Sequence, residues 1–176
     1  MKKTIILMFI LSLMLSNFSI AQRSNYYNVT DNSYNDIKIS YSIDVQQLQI
    51  QNIKTQQGIF SRISYDGMTP MQNDGQPELP VITNLLEIPL CEGLEVTVIN
   101  STYEEYNLSE LGINHPIMPT QPKHPKSEEG PFPFVIDEAT YASNSFYGTT
   151  LAQAEKMGAL RNINLGSVSI APFEYN

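Results

Sequence analysis

Alternation of apolar and polar residues is the feature that most limits what this chain can fold into. From Ile37 to Val45 every second residue is apolar, and the residues between them are Lys38, Ser40, Ser42 and Asp44. A period of two places successive side chains on opposite faces, which predicts a strand with one buried face. The phase slips after Val45, and we expect a bulge or a strand break there.

Other short apolar runs are separated by turn chemistry. Asp66-Gly67 and Asn73-Asp74-Gly75 are typical of turns because glycine adopts a positive φ without steric cost. We predict strands or extended segments at 59–65, 81–89, 94–99, 160–165 and 168–170, with a short helix at 150–157. The segments 81–89 and 94–99 are expected to form a hairpin around Cys91. Without a long periodic helix, these elements predict an all-β fold, an antiparallel β-sandwich.

Six of the eleven prolines lie between Asn114 and Pro133. Proline lacks a backbone donor and is excluded from central strands. The pattern predicts a long, semi-rigid, exposed loop, and long loops inside a compact domain are often functional. This proline-rich loop carries Lys123, His124 and Lys126.

The first residues carry an export signal. Lys2 and Lys3 precede an apolar run, and Ser19-Ile20-Ala21 supplies small residues before Gln22. We predict a signal peptide at 1–21, because the run is shorter than the about 20 apolar residues of a membrane anchor. A flexible polar leader is expected at 22–36, and one domain at 37–176. The mature chain would leave the membrane and be secreted or held at the cell surface after passing through the periplasm.

Composition argues against several functions. The net charge of −8 disfavours nucleic acid, because phosphate contacts need clustered lysine and arginine. Cys91 is the only cysteine and His115 and His124 are the only histidines, with no zinc spacing among them. A Cys–His catalytic pair is arithmetically possible, but Cys91 stands at a predicted turn and both histidines lie in the proline-rich loop. We therefore expect neither an enzyme nor a bound cofactor. Calcium at the turn residues Asp66, Asn73 and Asp74 is the one metal alternative.

Four motifs in order resemble the propeptides of gingipain-type cysteine proteases. They are Gly75-Gln-Pro-Glu-Leu-Pro-Val81, the tyrosine-containing stretch 141–147, Leu160-Arg161 with Gly166, and Ala171-Pro-Phe-Glu-Tyr-Asn176. The predicted hairpin from Ile88 to Ile99 fits the family segment that follows the first motif. The resemblance covers about the last 110 residues, from Gly67 to Asn176. It implies a β-sandwich that keeps a cognate protease domain latent and assists its folding.

The resemblance also implies that a basic side chain enters the S1 pocket of the protease. By position in the proline-rich loop this residue is Lys123, with Lys126 second. Since both are lysines, the partner pocket is expected to accept lysine through an acidic group at its base.

The family pattern continues beyond the position of Asn176. We therefore expect a domain that is incomplete at its C-terminal end, with the strand Ser167–Ala171 left as an exposed edge. The alternative function is a stand-alone secreted β-sandwich for adhesion or carbohydrate binding.

Overall fold

The computed structural model describes residues 26–33, 36–90 and 93–176. The strands in these ranges are Tyr27–Asn32 (β1), Ile37–Tyr41 (β2), Gln49–Thr55 (β3), Gly58–Ser64 (β4), Thr69–Pro70 (β5), Pro80–Ile88 (β6), Ala152–Leu160 (β7) and Ile163–Ile170 (β8). The helical elements of the described ranges are a 3-10 turn, Val45–Gln47, and one short helix, Glu138–Ala142 (α1). The predicted all-β antiparallel sandwich is confirmed. The predicted signal peptide and Cys91 lie outside the described residues.

The strands form two hairpins and one larger sheet. β1 pairs with β2, β3 pairs with β4, and the larger sheet has the order β5-β6-β8-β7. Each of these pairings is antiparallel. Across the described residues, no helix has the length and apolar character needed to cross a membrane.

The expected phase break is confirmed at the 3-10 turn Val45–Gln47. The Asp44 side chain accepts a hydrogen bond from the Gln46 backbone N–H at 3.0 Å, which caps this turn. The chain then resumes as β3. The prediction of a leader without regular structure is wrong for residues 27–32, because this segment forms β1 and pairs with β2. Polar side chains are compatible with this strand because all six of its residues are exposed.

Two buried clusters form the core. One contains Ile63, Met71, Leu79, Ile113 and Ile117. The other contains Tyr26, Tyr65 and Ile82. Burial of these side chains joins β4 and β6 to the chain segment near Ile117, which lies inside the predicted proline-rich loop.

The predicted hairpin of 81–89 with 94–99 is wrong. Residues 93–107 contain no regular strand, and β6 pairs instead with β8 from Ile82 to Ile88. Leu94 packs over Gly166 of β8, where a Cβ atom would stand 2.3 Å from Leu94 Cδ1. Leu94 therefore packs on the sheet without joining it, while Val98 and Ile99 of the same run are exposed.

The predicted helix at 150–157 is also wrong, because β7 occupies Ala152–Leu160. Alanine, glutamine, glutamate and lysine favour helices, but pairing with β8 along the whole strand overrides this weak preference. The prediction that the strand Ser167–Ala171 is an exposed edge is also wrong. β8 lies between β6 and β7, so both of its edges are paired.

Candidate functional site

The first part of the proline-rich segment is buried, which corrects the prediction of a wholly exposed loop. Ile117, Met118 and Thr120 are 2%, 5% and 6% exposed. On one side the segment pairs with β4, through Ser61 N–H to Pro116 O and Met118 N–H to Ser61 O, both at 2.8 Å. The prolines fit because the N–H groups that this pairing requires belong to other residues.

The motif Gly75–Val81 holds the other side of this segment. The N–H groups of Gly75 and Glu78 donate to Thr120 O and Met118 O at 2.7 and 2.9 Å, and Thr120 N–H donates to Gln76 O at 2.9 Å. Gly75 has φ 80°, and an added Cβ would lie 3.0 Å from the Asp137 nitrogen. Glycine at position 75 is therefore favoured by backbone geometry at the point where three segments meet.

The side chain of Gln121 closes the base of the loop that follows. Its Nε2 donates to Val135 O at 2.8 Å, and its Oε1 accepts from Val135 N–H at 3.0 Å. The amide thus substitutes for a peptide group of a neighbouring strand. We call residues 122–134 the basic loop, and this two-bond junction sets the distance between its ends.

Two contacts span the basic loop above its base. The ring of His124 stacks on Phe132 with centroids 3.6 Å apart and planes 5° apart. His124 Nδ1 also lies 3.6 Å from Glu128 Oε2. At the tip, Glu128 N–H donates to Pro125 O at 3.0 Å, which closes a turn around Lys126 and Ser127.

Both predicted site residues lie in the exposed part of the basic loop. Lys126 is the second residue of the tip turn, and Lys123 lies in the arm between Pro122 and His124. Neither lysine has a hydrogen bond or an ion pair with the part of the chain that the structure describes. Their ammonium groups are therefore available to an external anion.

The surroundings of the loop contain little that resembles a catalytic centre. An open depression of about 320 Å³ beside the loop is lined by Gln56, Gln121, His124, Phe132 and Phe134 among others. Within the described ranges, no three histidine, cysteine, aspartate or glutamate side chains are grouped as a metal site would require. Asn73, a residue of the calcium alternative, donates its side-chain amide to the Tyr147 hydroxyl at 3.2 Å.

Helix α1 supports the segment beneath the loop. The Asp137 carboxylate caps the helix by accepting from Ala139 N–H at 3.1 Å, and hydrogen bonds from Thr140 and Gln76 lower its pKa. The Tyr141 hydroxyl donates to Ile117 O at 2.7 Å, and burial raises the pKa of this phenol. The helix is thus hydrogen-bonded to the buried segment that leads into the basic loop.

Sequence reasoning placed Lys123 and Lys126 in this loop, where their role stays a prediction, but it did not point to Gln121 and Phe132. No local pattern marks them, since the partner of each lies eight or fourteen residues away along the chain. The proline spacing was the available signal. It indicates a stiffened segment but says nothing of which side chains close it.

Comparisons with known proteins agree on one family. The family model Propeptide_C25 matches residues 27–176. Lys-gingipain of Porphyromonas gingivalis is 30% identical over 148 residues, which are 84% of this chain and 8% of that protein. Lys-gingipain W83 of the same organism gives the same values. The chain therefore spans less than a tenth of the length of the curated relatives it matches.

Two solved structures are similar in fold. A structure of gingipain K from P. gingivalis, described as insight into its zymogenic latency, has a TM-score of 0.76 at 30% identity, over 85% of this chain and 81% of that one. The complex of the pro- and mature domains of RgpB from the same organism has a TM-score of 0.68 at 20% identity, over 88% of this chain and 77% of that one. The second likeness supports the fold alone.

Proposed function

This chain belongs to the Propeptide_C25 family, and we propose that it keeps a cognate gingipain-type cysteine protease latent by placing a lysine in the S1 pocket of that enzyme. The observation that carries the proposal is the basic loop itself. It presents Lys123 and Lys126 in an exposed position, without a hydrogen bond or ion pair to any described residue, on a support whose buried part is hydrogen-bonded on both sides.

The chemistry of a lysine side chain suits such a pocket. Its ammonium is a compact charge on a flexible stem, and it pairs well with a carboxylate at the end of a narrow site. The relatives are named Lys-gingipains, which supports a partner that recognises lysine. Pre-ordering of the loop would favour docking, because less conformational entropy is lost on binding.

The partner of the proposal is a cysteine protease catalytic domain. The likeness to a structure described in terms of zymogenic latency supports this partner. The signal peptide predicted at 1–21 supports export to the cell surface or beyond. Assistance in folding the protease domain would follow from the same docking, because binding to the native partner stabilises it over its unfolded state.

Inhibition of a lysine-specific gingipain-type protease by the purified chain tests this function. We expect the Lys123→Ala, Lys126→Ala double variant to raise the inhibition constant about 30-fold or more, as removal of an interfacial anchor does. The two single variants then identify which lysine enters the pocket. Lys38→Ala is the control, since Lys38 pairs with Asp31 in the β1–β2 hairpin.

The outcome that would contradict the proposal is clear. If the double variant inhibits as well as the parent chain, then no lysine of the basic loop occupies S1. If neither the parent nor the variants inhibit, the chain does not maintain latency by itself.

A further inference from the structure

Three contacts join the two arms of the basic loop at different heights. At the base, Gln121 makes two hydrogen bonds with the backbone of Val135. In the middle, His124 stacks face to face on Phe132. At the tip, the Pro125–Glu128 hydrogen bond closes the turn. The three contacts differ in chemistry but connect the same two arms of the basic loop.

These contacts lie on both sides of the peptide bond after Lys126. His124 and Pro125 precede the Lys126–Ser127 bond, while Glu128 and Phe132 follow it. Of the three contacts, only the Gln121–Val135 junction spans the bond after Lys123. If the Lys126–Ser127 bond were cut, non-covalent contacts would still hold the two new ends near one another.

We propose that Gln121, His124 and Phe132 are positioning residues that make the basic loop an inhibitor of the protease instead of a substrate. This inference rests on the proposed function above, with Lys126 as the lysine that enters S1, because the three contacts enclose the Lys126–Ser127 bond. These three residues need not touch the enzyme. Their role is to make the basic loop resistant to hydrolysis. Lys126 binds the pocket. The contacts between the arms keep the loop from being hydrolysed, so that inhibition persists.

The reaction itself explains how the contacts act. When a protease cysteine attacks the carbonyl carbon of Lys126, a thioester C–S bond forms and the C–N bond to Ser127 breaks. The thiol proton passes to the Ser127 nitrogen, which becomes the new amino terminus. Hydrolysis requires that this amine leave so that water can reach the thioester. Held by the Pro125–Glu128 and His124–Phe132 contacts, the amine remains close to the thioester. It attacks the thioester, restores the peptide bond and releases the thiol, because a reacting group held in place has a high effective concentration.

The contacts also protect the free chain. A protease whose site does not fit the ordered loop must bind several residues in an extended form, so cutting by such an enzyme requires the loop to open locally. This property is independent of the cognate enzyme. It can therefore be measured with trypsin, which cuts after lysine and arginine.

The first experiment digests the full chain with trypsin and follows each cut by mass spectrometry. Gln121→Ala and Phe132→Ala are expected to raise the rate of cutting after Lys126 by about tenfold, because each removes one contact that opposes opening. Cutting after Arg161, in the turn between β7 and β8, is the internal reference and should not change. Phe146→Ala is the matched control, since Phe146 is an exposed aromatic residue outside the loop, 59% accessible against 41% for Phe132.

Unchanged cutting after Lys126 in both variants would overturn the inference. If a variant unfolds, cutting rises at Arg161 as well. In that case His124→Ala decides, because His124 is exposed and its loss removes the stack without opening the core.

The second experiment uses the cognate protease and separates this inference from the proposed function. We expect the parent chain to inhibit persistently, and Phe132→Ala to inhibit at first and then lose its effect as Lys126–Ser127 is hydrolysed. If inhibition by Phe132→Ala lasts as long as inhibition by the parent chain, the inference is overturned. If the parent chain does not inhibit at all, the proposed function fails, while the trypsin experiment still decides whether the contacts hold the loop.

Discussion

The Nε atom of Arg62 lies 3.2 Å from Oε1 of Glu78, in a contact that has the distance of an ion pair without the angle of a hydrogen bond. The Glu78 side chain is 13% exposed and that of Arg62 is 40% exposed. Burial raises the pKa of Glu78, and the Arg62 charge opposes this rise. Glu78 N–H also donates to Met118 O, so the pair sits against the segment that supports the basic loop.

Arg62→Ala is expected to destabilise the fold more at pH 7 than near pH 4. A carboxyl whose pKa is raised on folding favours the folded state in its protonated form, so its contribution is lost as the pH rises through the folded pKa. Without Arg62, the ionised carboxylate is left without its partner. We expect a loss of about 1–3 kcal/mol at pH 7, below the cost for a fully buried pair because Arg62 is partly exposed.

Urea unfolding at the two pH values measures this difference. The exposed pair Lys38–Asp31, with side chains 58% and 51% accessible, is the control. Lys38→Ala should cost less than about 1 kcal/mol at pH 7. An equal effect of Arg62→Ala at both pH values would refute the role given to the Glu78 charge.

Gly75→Ala is expected to destabilise the fold by about 1–3 kcal/mol. The residue has φ 80°, and the new Cβ would lie 3.0 Å from the Asp137 nitrogen and 3.2 Å from Val135 Cγ1. Thermal unfolding is the measurement. Gly93→Ala is the matched control, because a Cβ at Gly93 meets no atom within 4 Å. The stability of this variant should stay close to that of the parent chain.

Arg161→Gly is expected to leave stability unchanged or to raise it by up to about 1 kcal/mol. Arg161 has φ 58° and is the first residue of the two-residue turn between Leu160 and Ile163, where glycine avoids the strain of a side chain. Part of the gain is offset because glycine also gains freedom in the unfolded chain. Asn162→Gly should destabilise, since only that entropic term applies there. A clear loss of stability in Arg161→Gly would indicate that the arginine side chain makes a stabilising contact.

Tyr141→Phe is expected to cost about 0.5–1.5 kcal/mol in the free energy of unfolding. The phenol donates to Ile117 O at 2.7 Å, and its removal leaves that carbonyl without this donor while the ring packing is preserved. Tyr103→Phe is the comparison, because Tyr103 is 85% exposed and should tolerate the change. Similar unfolding curves for the two variants would argue against a tie between α1 and the buried segment.

Strands and turns of this protein could be predicted from its sequence where the contacts that determine them are local. The alternation of Ile37, Ile39 and Tyr41 predicted β2, and the turn residues Asp66-Gly67 marked the end of the strand that precedes them, because each depends on neighbours within a few residues. The choice of Lys123 and Lys126 as site residues comes from resemblance to a family and from their position in the proline-rich loop, and it stays a prediction.

The tertiary structure decided what depends on partners distant in the chain. β6 pairs with β8 about eighty residues later, which excludes the predicted hairpin and places β8 inside the sheet. The helix-favouring composition of β7 gives way to the same ladder. Ser61 and Gln76 pair with a proline-containing segment that composition alone assigns to the surface, and Gln121 joins Val135. The free energy of these contacts comes from burial and hydrogen bonding between separate segments, so no local pattern in the sequence could encode their geometry.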